Sequence, residues 1–267
     1  MRIKLTPNMA DALQTCPFSF QEKFLTKAVR EPTFRSTPAS RMGQNVHAAL
    51  DIFYRRGGCL NLSEMDLLDL FNQKWDSDGF SSIEEELTYK QEASRLLRNY
   101  YASSVHEPSC QLRTTETFHT TATAVTLGQH KVTLRGRFDR LDLYGDGTLE
   151  VIDYKTGNAG AGLPGQEEFA ARLSNLIYFR LAKDLFPEAR EITVSHYYLR
   201  SQRKISVRYT SEVIQVARTE LEILLDELEV GVAPTLVNQN CAWCLVRKAG
   251  RCHQFAHREA ETEEILF

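Results

Sequence analysis

RGRFDRLDLYGDGTLEVIDYKTG, residues 135–157, decides how the rest of the chain is read. Gly145-Asp146-Gly147 separates two runs rich in apolar and β-branched residues, which is the signature of a tight hairpin. The runs, 131–143 and 148–155, should therefore be antiparallel strands. In the second, Leu149, Val151 and Ile152 suit an interior, and Gly157 supplies the break. Side chains alternate along a strand, so Asp153 and Lys155 share one face while Tyr154 points away. Asp139 lies across the hairpin, and two carboxylates and a lysine are expected to converge at one sheet edge. Hard divalent cations such as Mg²⁺ and Mn²⁺ take oxygen ligands of this kind, completed by water and substrate phosphates. A neighbouring lysine orients water or stabilises charge on a phosphoryl group.

Upstream the chain reads as helical. Thr6-Pro7 is an N-cap followed by proline at the first helical position, predicting a helix through about Leu25. In RMGQNVHAALDIFYRRGG, 41–58, Val46, Ala49, Leu50 and Phe53 recur at helical spacing before Gly57-Gly58. Ser63 with Asp66, and Ser82 with Glu85, predict two further helices opened by capping boxes. Past Cys110 the texture turns to strands, at 111–119 and 121–127, then the hairpin. A helix over 166–185, strands at 191–200 and 203–210, and a helix from Ser211 to Gly231 complete the pattern. Helices, a sheet with a crossover helix, then helices imply one α/β domain with a helical N-terminal elaboration.

The composition is that of an ordinary globular chain: 267 residues, 42% hydrophobic and 25% charged. A net charge of −3 gives no global basic footprint, so a nucleic-acid partner would need a local one. Local clusters exist at Arg135, Arg137 and Arg140, at Arg200, Arg203, Lys204 and Arg208, and at Arg247, Lys248 and Arg251. No window approaches a membrane span and the first residues lack the apolar core of a signal peptide, so a cytoplasmic protein without a membrane partner is expected. Six cysteines in an intracellular chain point to ligation or buried thiols rather than disulfides.

A bare D-x-K is common, and a solvated strand end is its usual meaning. Here GRFDR followed by VIDYKTG resembles the active-site core of the PD-(D/E)XK nucleases, in particular the RecB-like exonuclease branch. MGQNVHAALD is similar to that branch's G-x-x-x-H helix, which makes His47 a metal ligand. The resemblance implies catalytic Asp139, Asp153 and Lys155, with His47, Asp139, Asp153 and the Tyr154 backbone carbonyl holding Mg²⁺ or Mn²⁺. LSNLIYFRLA matches the branch's Q-x-x-x-Y helix in Tyr178, a substrate-contact candidate that could equally be core, and departs from it in Ser174. Glu116 is a further acidic candidate, although a surface carboxylate is the commoner meaning.

Cys241 and Cys244 form a C-x-x-C, Cys252 follows, and Cys16 precedes a proline far upstream. Thiolates so arranged suit zinc or an iron–sulfur cluster. The pattern resembles the iron–sulfur staple of AddB-type and CRISPR-associated RecB-like nucleases, which implies Cys16, Cys241, Cys244 and Cys252 around a 4Fe–4S cluster. Zn²⁺ is the alternative, with His253 as a spare ligand, and Cys59 and Cys110 are left as ordinary thiols. Trp243 is expected to shield the cluster rather than stack on a base.

The resulting expectation is a restriction-endonuclease-like α/β core, a mixed central sheet flanked by helices, carrying a helical N-terminal elaboration and a cysteine-ligated C-terminal lobe. Residues 1–267 would form one such nuclease domain, with the elaboration at about 41–107, the core at about 111–231 and the cysteine lobe at 236–255 joined to Cys16. The function implied is a metal-dependent deoxyribonuclease, an exonuclease of repair, recombination or processing, acting on single-stranded or end-containing DNA. No helicase motif is present, so a helicase or another nucleic-acid-processing protein would be its partner. The alternatives are a DNA-binding or assembly subunit with a vestigial site and a zinc-stapled interaction module.

Overall fold

The computed structural model describes residues 1–29, 37–104, 112–117, 120–157, 162–231 and 233–255; side chains of 112–117 and 120 lie outside the description, as does Cys110. The strand-rich half forms two sheets. One has three strands in the order β1 (Arg2–Leu5), β4 (His130–Arg137), β3 (Thr120–Leu127). The other has five, in the order β2 (Leu112–Thr117), β5 (Arg140–Tyr144), β6 (Thr148–Lys155), β7 (Glu191–Tyr198), β8 (Arg203–Arg208). Both are mixed: β1 pairs parallel with β4 and β6 parallel with β7, while the remaining ladders are antiparallel. Helices flank them, as expected for the restriction-endonuclease-like fold.

The hairpin forms where its turn chemistry places it. Gly147 takes a φ of 89°, and Asp146 Oδ1 accepts the Thr148 N–H at 2.8 Å. The register sets Leu141 opposite Val151 and Arg140 opposite Ile152. The expected strand 131–143 is, however, two strands. Across Phe138-Asp139 the chain leaves the three-stranded sheet and enters the five-stranded one, so Asp139 sits at the seam, just past the end of the β5 ladder.

Two buried clusters explain the architecture. The larger joins Ile3 and Leu5 of β1, Leu149 and Val151 of β6, and the inner faces of α1 (Pro7–Thr15), α7 (Leu173–Leu185) and α8 (Ser211–Glu229). The second packs α3 (Pro38–Arg55), α4 (Glu64–Lys74) and α5 (Ile83–Ser104) on the opposite face of β6, through Ile152 and Tyr154. Each fully buried Leu, Ile or Phe stabilises such a core by about 1.5–3 kcal/mol. Strand β6 is therefore covered on both sides, which is why its middle reads as a continuous apolar run.

The remaining departures from the sequence pattern have local causes. The N-terminal helix stops at Thr15 because Pro17 disfavours helical geometry at Cys16, which is extended at φ −165° and ψ 100°. The chain resumes as α2 (Pro17–Phe20) and a π turn at Gln21–Leu25. The 166–185 helix is broken into α6 (Gln166–Ala170) and α7, where the Asn175 amide donates to the Phe169 carbonyl at 2.8 Å and Leu173 N–H to Gln14 at 3.1 Å. Helix α3 begins at Pro38, capped by Thr37, earlier than the pattern indicates. Ser63 makes the expected reciprocal box, whereas Glu85 turns to Ser81 instead of Ser82. Strand β1 alternates polar with apolar residues, but over four residues only, too short a run to predict a strand. No helix among the described residues is long and apolar enough to cross a membrane.

Candidate active site and cysteine centre

The candidate site lies where β6 ends, in an open cleft of about 470 Å³. Helix α3 brings His47 to it. Val46, Ala49, Leu50 and Phe53 are all buried, which fixes the helix face. A Cβ at Gly43 would stand 2.8 Å from Thr156 Oγ1, so glycine lets α3 close on the end of β6. His47 Nδ1 lies 3.0 Å from Asp139 Oδ2, and the same oxygen accepts the Tyr154 N–H at 3.0 Å. In a strand the N–H and C=O of one residue point to the same side. The Tyr154 carbonyl therefore faces the Asp139 side, beyond the last β5 pairing at Arg140.

Asp153 is 8% exposed and is held from two directions. Tyr178 donates its hydroxyl to Oδ1 at 2.9 Å, and Lys155 Nζ lies 2.5 Å from Oδ2. Burial pushes the Asp153 carboxyl up, but Lys155, His196 and His47 outweigh it and hold it at about 2. Burial likewise opposes charge on Lys155 and His47, and the surrounding carboxylates still raise both. The structure thus brings His47, Asp139, Asp153, Tyr154, Lys155 and Tyr178 together around one cleft.

A carboxyl group held low in the fold contributes stability that is complete above its unfolded value and lost as pH falls through its folded value. In metal-free protein the stability advantage of wild type over Asp153→Asn should shrink by about 2 kcal/mol between about pH 5 and about pH 2. Urea unfolding across that range is the measurement. An advantage that stays constant would show that Asp153 titrates in the fold as it does in the unfolded chain.

Several residues behave differently from the sequence reading. Arg140 is not available to a phosphate backbone. It is 2% exposed, donates from Nε to Asp142 at 2.8 Å and from Nη1 to Tyr100 at 3.0 Å, and lies 3.8 Å over the Tyr54 ring. Ser174 is buried away from the cleft, and its hydroxyl has no hydrogen bond among the described residues. His196 was not singled out from the sequence, because a histidine inside SHYY reads as core. The β6–β7 register sets it beside Asp153, with Nε2 3.9 Å from Oδ2 and neither ring nitrogen hydrogen-bonded among the described residues. Burial pushes it down to about 3, so the ring is neutral at ordinary pH and adds its charge beside the carboxylate only in strong acid, where Asp153 titrates. The Glu116 side chain lies outside the described residues.

A second centre lies at the other end of α1. Cys16, Cys241, Cys244 and Cys252 all line one cavity of about 260 Å³, many times a water molecule's share of liquid volume. Pro17 turns Cys16 towards it, and the short turn at Gln239–Ala242 presents Cys241. Burial raises the Cys244 thiol, but the Arg247 and Val246 N–H groups, contact with the Ser19 hydroxyl and the nearby Lys23 charge outweigh it and leave the thiol below its ordinary value. Among the described residues no three of these cysteine sulfurs lie within 4.8 Å of one another. Trp243 stands on the cavity rim but is 78% exposed, so its shielding is partial at most. Cys59 packs against the second core cluster.

Comparison with known families gives a match over residues 4–252 to the PD-(D/E)XK nuclease superfamily. The chain belongs to that superfamily. Among solved structures it is similar to SSO0001, at 15% identity and a TM-score of 0.38, covering 89% of this chain and 95% of that one. It is also similar to a "Putative exonuclease" from Eubacterium rectale, at 9% identity and a TM-score of 0.38, covering 80% and 93%. Membership of the PD-(D/E)XK superfamily makes the cleft beside Asp153 and Lys155 the place to look for nuclease chemistry.

Proposed function

We propose that the protein is a RecB-like, metal-dependent deoxyribonuclease that degrades single-stranded or end-containing DNA as an exonuclease. The observation that carries this reading is the meeting of Asp139, Asp153, Lys155 and His47 in one cleft. The donor set fits a hard cation. One imidazole and two carboxylates face the same cleft, with His47 Nδ1 3.0 Å from Asp139 Oδ2, and such nitrogen and oxygen donors suit Mg²⁺ or Mn²⁺. Asp153 lines the same cleft, with its Oδ2 paired to the Lys155 ammonium. His47, Asp139, Asp153 and the Tyr154 carbonyl would hold Mg²⁺ or Mn²⁺, which supplies Lewis-acid stabilisation of the phosphoryl charge.

The chain's own groups do the rest. Tyr178 and the Tyr154 N–H fix the two carboxylates in orientation. The Lys155 ammonium donates to the attacking water or to a non-bridging phosphate oxygen, stabilising the charge that grows in an in-line displacement. The alternative, a DNA-binding or assembly subunit with a vestigial site, draws on Ser174, which does not supply the glutamine of the branch. Purified protein with Mn²⁺ should release nucleotides from end-labelled single strands, with no release in EDTA. Absence of metal-dependent cleavage overturns the enzymatic reading, and efficient cutting of circular single strands overturns the exonuclease mode.

We also read the four cysteines as ligands of a 4Fe–4S cluster that ties the chain's two ends together. This reading rests on the likeness of the cysteine pattern to the staple of RecB-like nucleases; Zn²⁺ is the alternative for the same four thiolates. Anaerobically purified protein should be brown and contain iron and sulfide in cluster stoichiometry. Stoichiometric zinc in their place would reverse the assignment. On this reading residues 1–267 form one nuclease domain, cytoplasmic, working with a helicase or similar partner in repair, recombination or processing.

A further inference from the structure

The segments RIKL (2–5) and HKVTLRGR (130–137) alternate cationic with apolar residues. Their apolar members Ile3, Leu5, Val132 and Leu134 are buried in the larger core. Period-two geometry therefore drives Arg2, Lys4, Lys131, Arg135 and Arg137 to the outer face, and all five are exposed. A one-residue slip would bury the cations, so the core pins the register. The parallel ladder sets Arg2 directly beside Lys131, and Lys4 beside Thr133. On the other flank β3 presents Ala122 against Arg135 and Ala124 against Thr133, leaving the surface low.

No aspartate or glutamate occurs in these three strands. Arg2, Lys4, Lys131 and Arg135 make no ion pair among the described residues. Like charges directly opposite on neighbouring strands are destabilising, and an external anion relieves that repulsion. The row is not isolated from the cleft. Arg135 and Arg137 at the end of β4 line it with Thr6, Asn8, Asp139 and Asp153.

We propose that the outer face of the β1–β4–β3 sheet is a track for the phosphodiester backbone of one DNA strand, leading it into the cleft. The inference rests on the nuclease reading for its ligand. Same-face residues along a strand are about 6.7 Å apart, and neighbouring strands about 4.8 Å apart. The cations of β1 and β4 thus form a strip one backbone wide, suited to a single strand rather than to both strands of a duplex. Small side chains on β3 give that backbone close approach.

The test is binding of fluorescein-labelled oligothymidylate in EDTA, followed by anisotropy over a series of KCl concentrations. Each phosphate neutralised on a single strand contributes about 0.7 to the salt slope. The triple variant Arg2→Ala/Lys4→Ala/Lys131→Ala should lower the slope by about two and weaken binding about 10-fold or more at moderate salt. Lys4→Ala alone, the milder change, should lower it by about 0.7. A charge-matched control, Arg56→Ala/Arg98→Ala/Arg190→Ala, removes exposed cations carried elsewhere and should leave the slope close to wild type. Wild-type slopes in the track variants, or no binding by the wild type, overturn the track. An equal loss on blunt duplex overturns its single-strand assignment. Because binding is read without metal, a protein that binds as expected but never cleaves removes the nuclease reading and keeps the track.

Discussion

On the proposed nuclease reading, Lys155→Met and Asp153→Asn should each lower Mn²⁺-dependent DNA cleavage by at least about 100-fold, the scale on which one charge-stabilising group in an active site acts. The two variants fail for different reasons. Lys155→Met keeps both carboxylates and removes the ammonium that lies 2.5 Å from Asp153. It should bind metal and DNA and stall at the chemical step. Asp153→Asn keeps the ammonium and removes a negative charge from the proposed metal site, so its defect should include weaker Mn²⁺ binding, measured calorimetrically. Tyr178 donates to the oxygen that either carboxylate or amide presents, which helps both variants keep the local fold. Undiminished cutting by both proteins would remove the cleft from the mechanism.

The second large effect is on stability. Arg140→Leu should cost about 3–5 kcal/mol, because it leaves the partner of a buried ion pair uncompensated. Asp142 is fully buried, and it loses the guanidinium that lies beside it. Tyr100 loses a donor in the same step, and Tyr100 is hydrogen-bonded to Tyr54 at 2.6 Å and to Tyr154 at 2.8 Å. The damage should therefore spread to the packing of α3 and α5 on β6. Arg140→Leu/Asp142→Leu should recover much of the loss, since apolar replacement of both partners is often neutral. Urea denaturation of the three proteins decides it; a loss below about 1 kcal/mol in the single variant would mean that water reaches the pair.

These two effects show what the sequence carries and what it lacks. Strand β6 was legible because its alternation, its turn and its glycine stop all agree, and His47 because four apolar residues at helical spacing orient its helix. The break between β4 and β5 does leave a mark: the apolar phase shifts from even positions (Val132, Leu134, Phe138) to odd ones (Leu141, Leu143), with Asp139 and Arg140 adjacent at the shift. A single shift also fits a bulge in one continuous strand, and the pairing partners, β1 and β3 on one side and β2 and β6 on the other, are what divide the run into two sheets. Arg140 reads as a surface cation because its acceptors come from Tyr100 and from Asp142 on a neighbouring position of its own strand. His196 acquires meaning only through the parallel register that sets it beside Asp153. Four residues, RIKL, are too few to announce a strand, and β1 exists because the edge of β4 is there to receive it.

That last pairing has a kinetic side. Residue 2 finds its partner at residue 131, Gln14 bonds the first turn of α7, and Cys16 shares a cavity with Cys241, Cys244 and Cys252. Contacts between such distant positions form slowly, because the closure entropy comes before the reward. The opening segment must wait until the middle of the chain has been synthesised and folded, and the thiols wait for the far end. Thr6, Pro7 and Asn8, which wall the cleft, are delivered by that same late docking. A cleft with its wall in place thus marks a chain whose assembly has run nearly to completion.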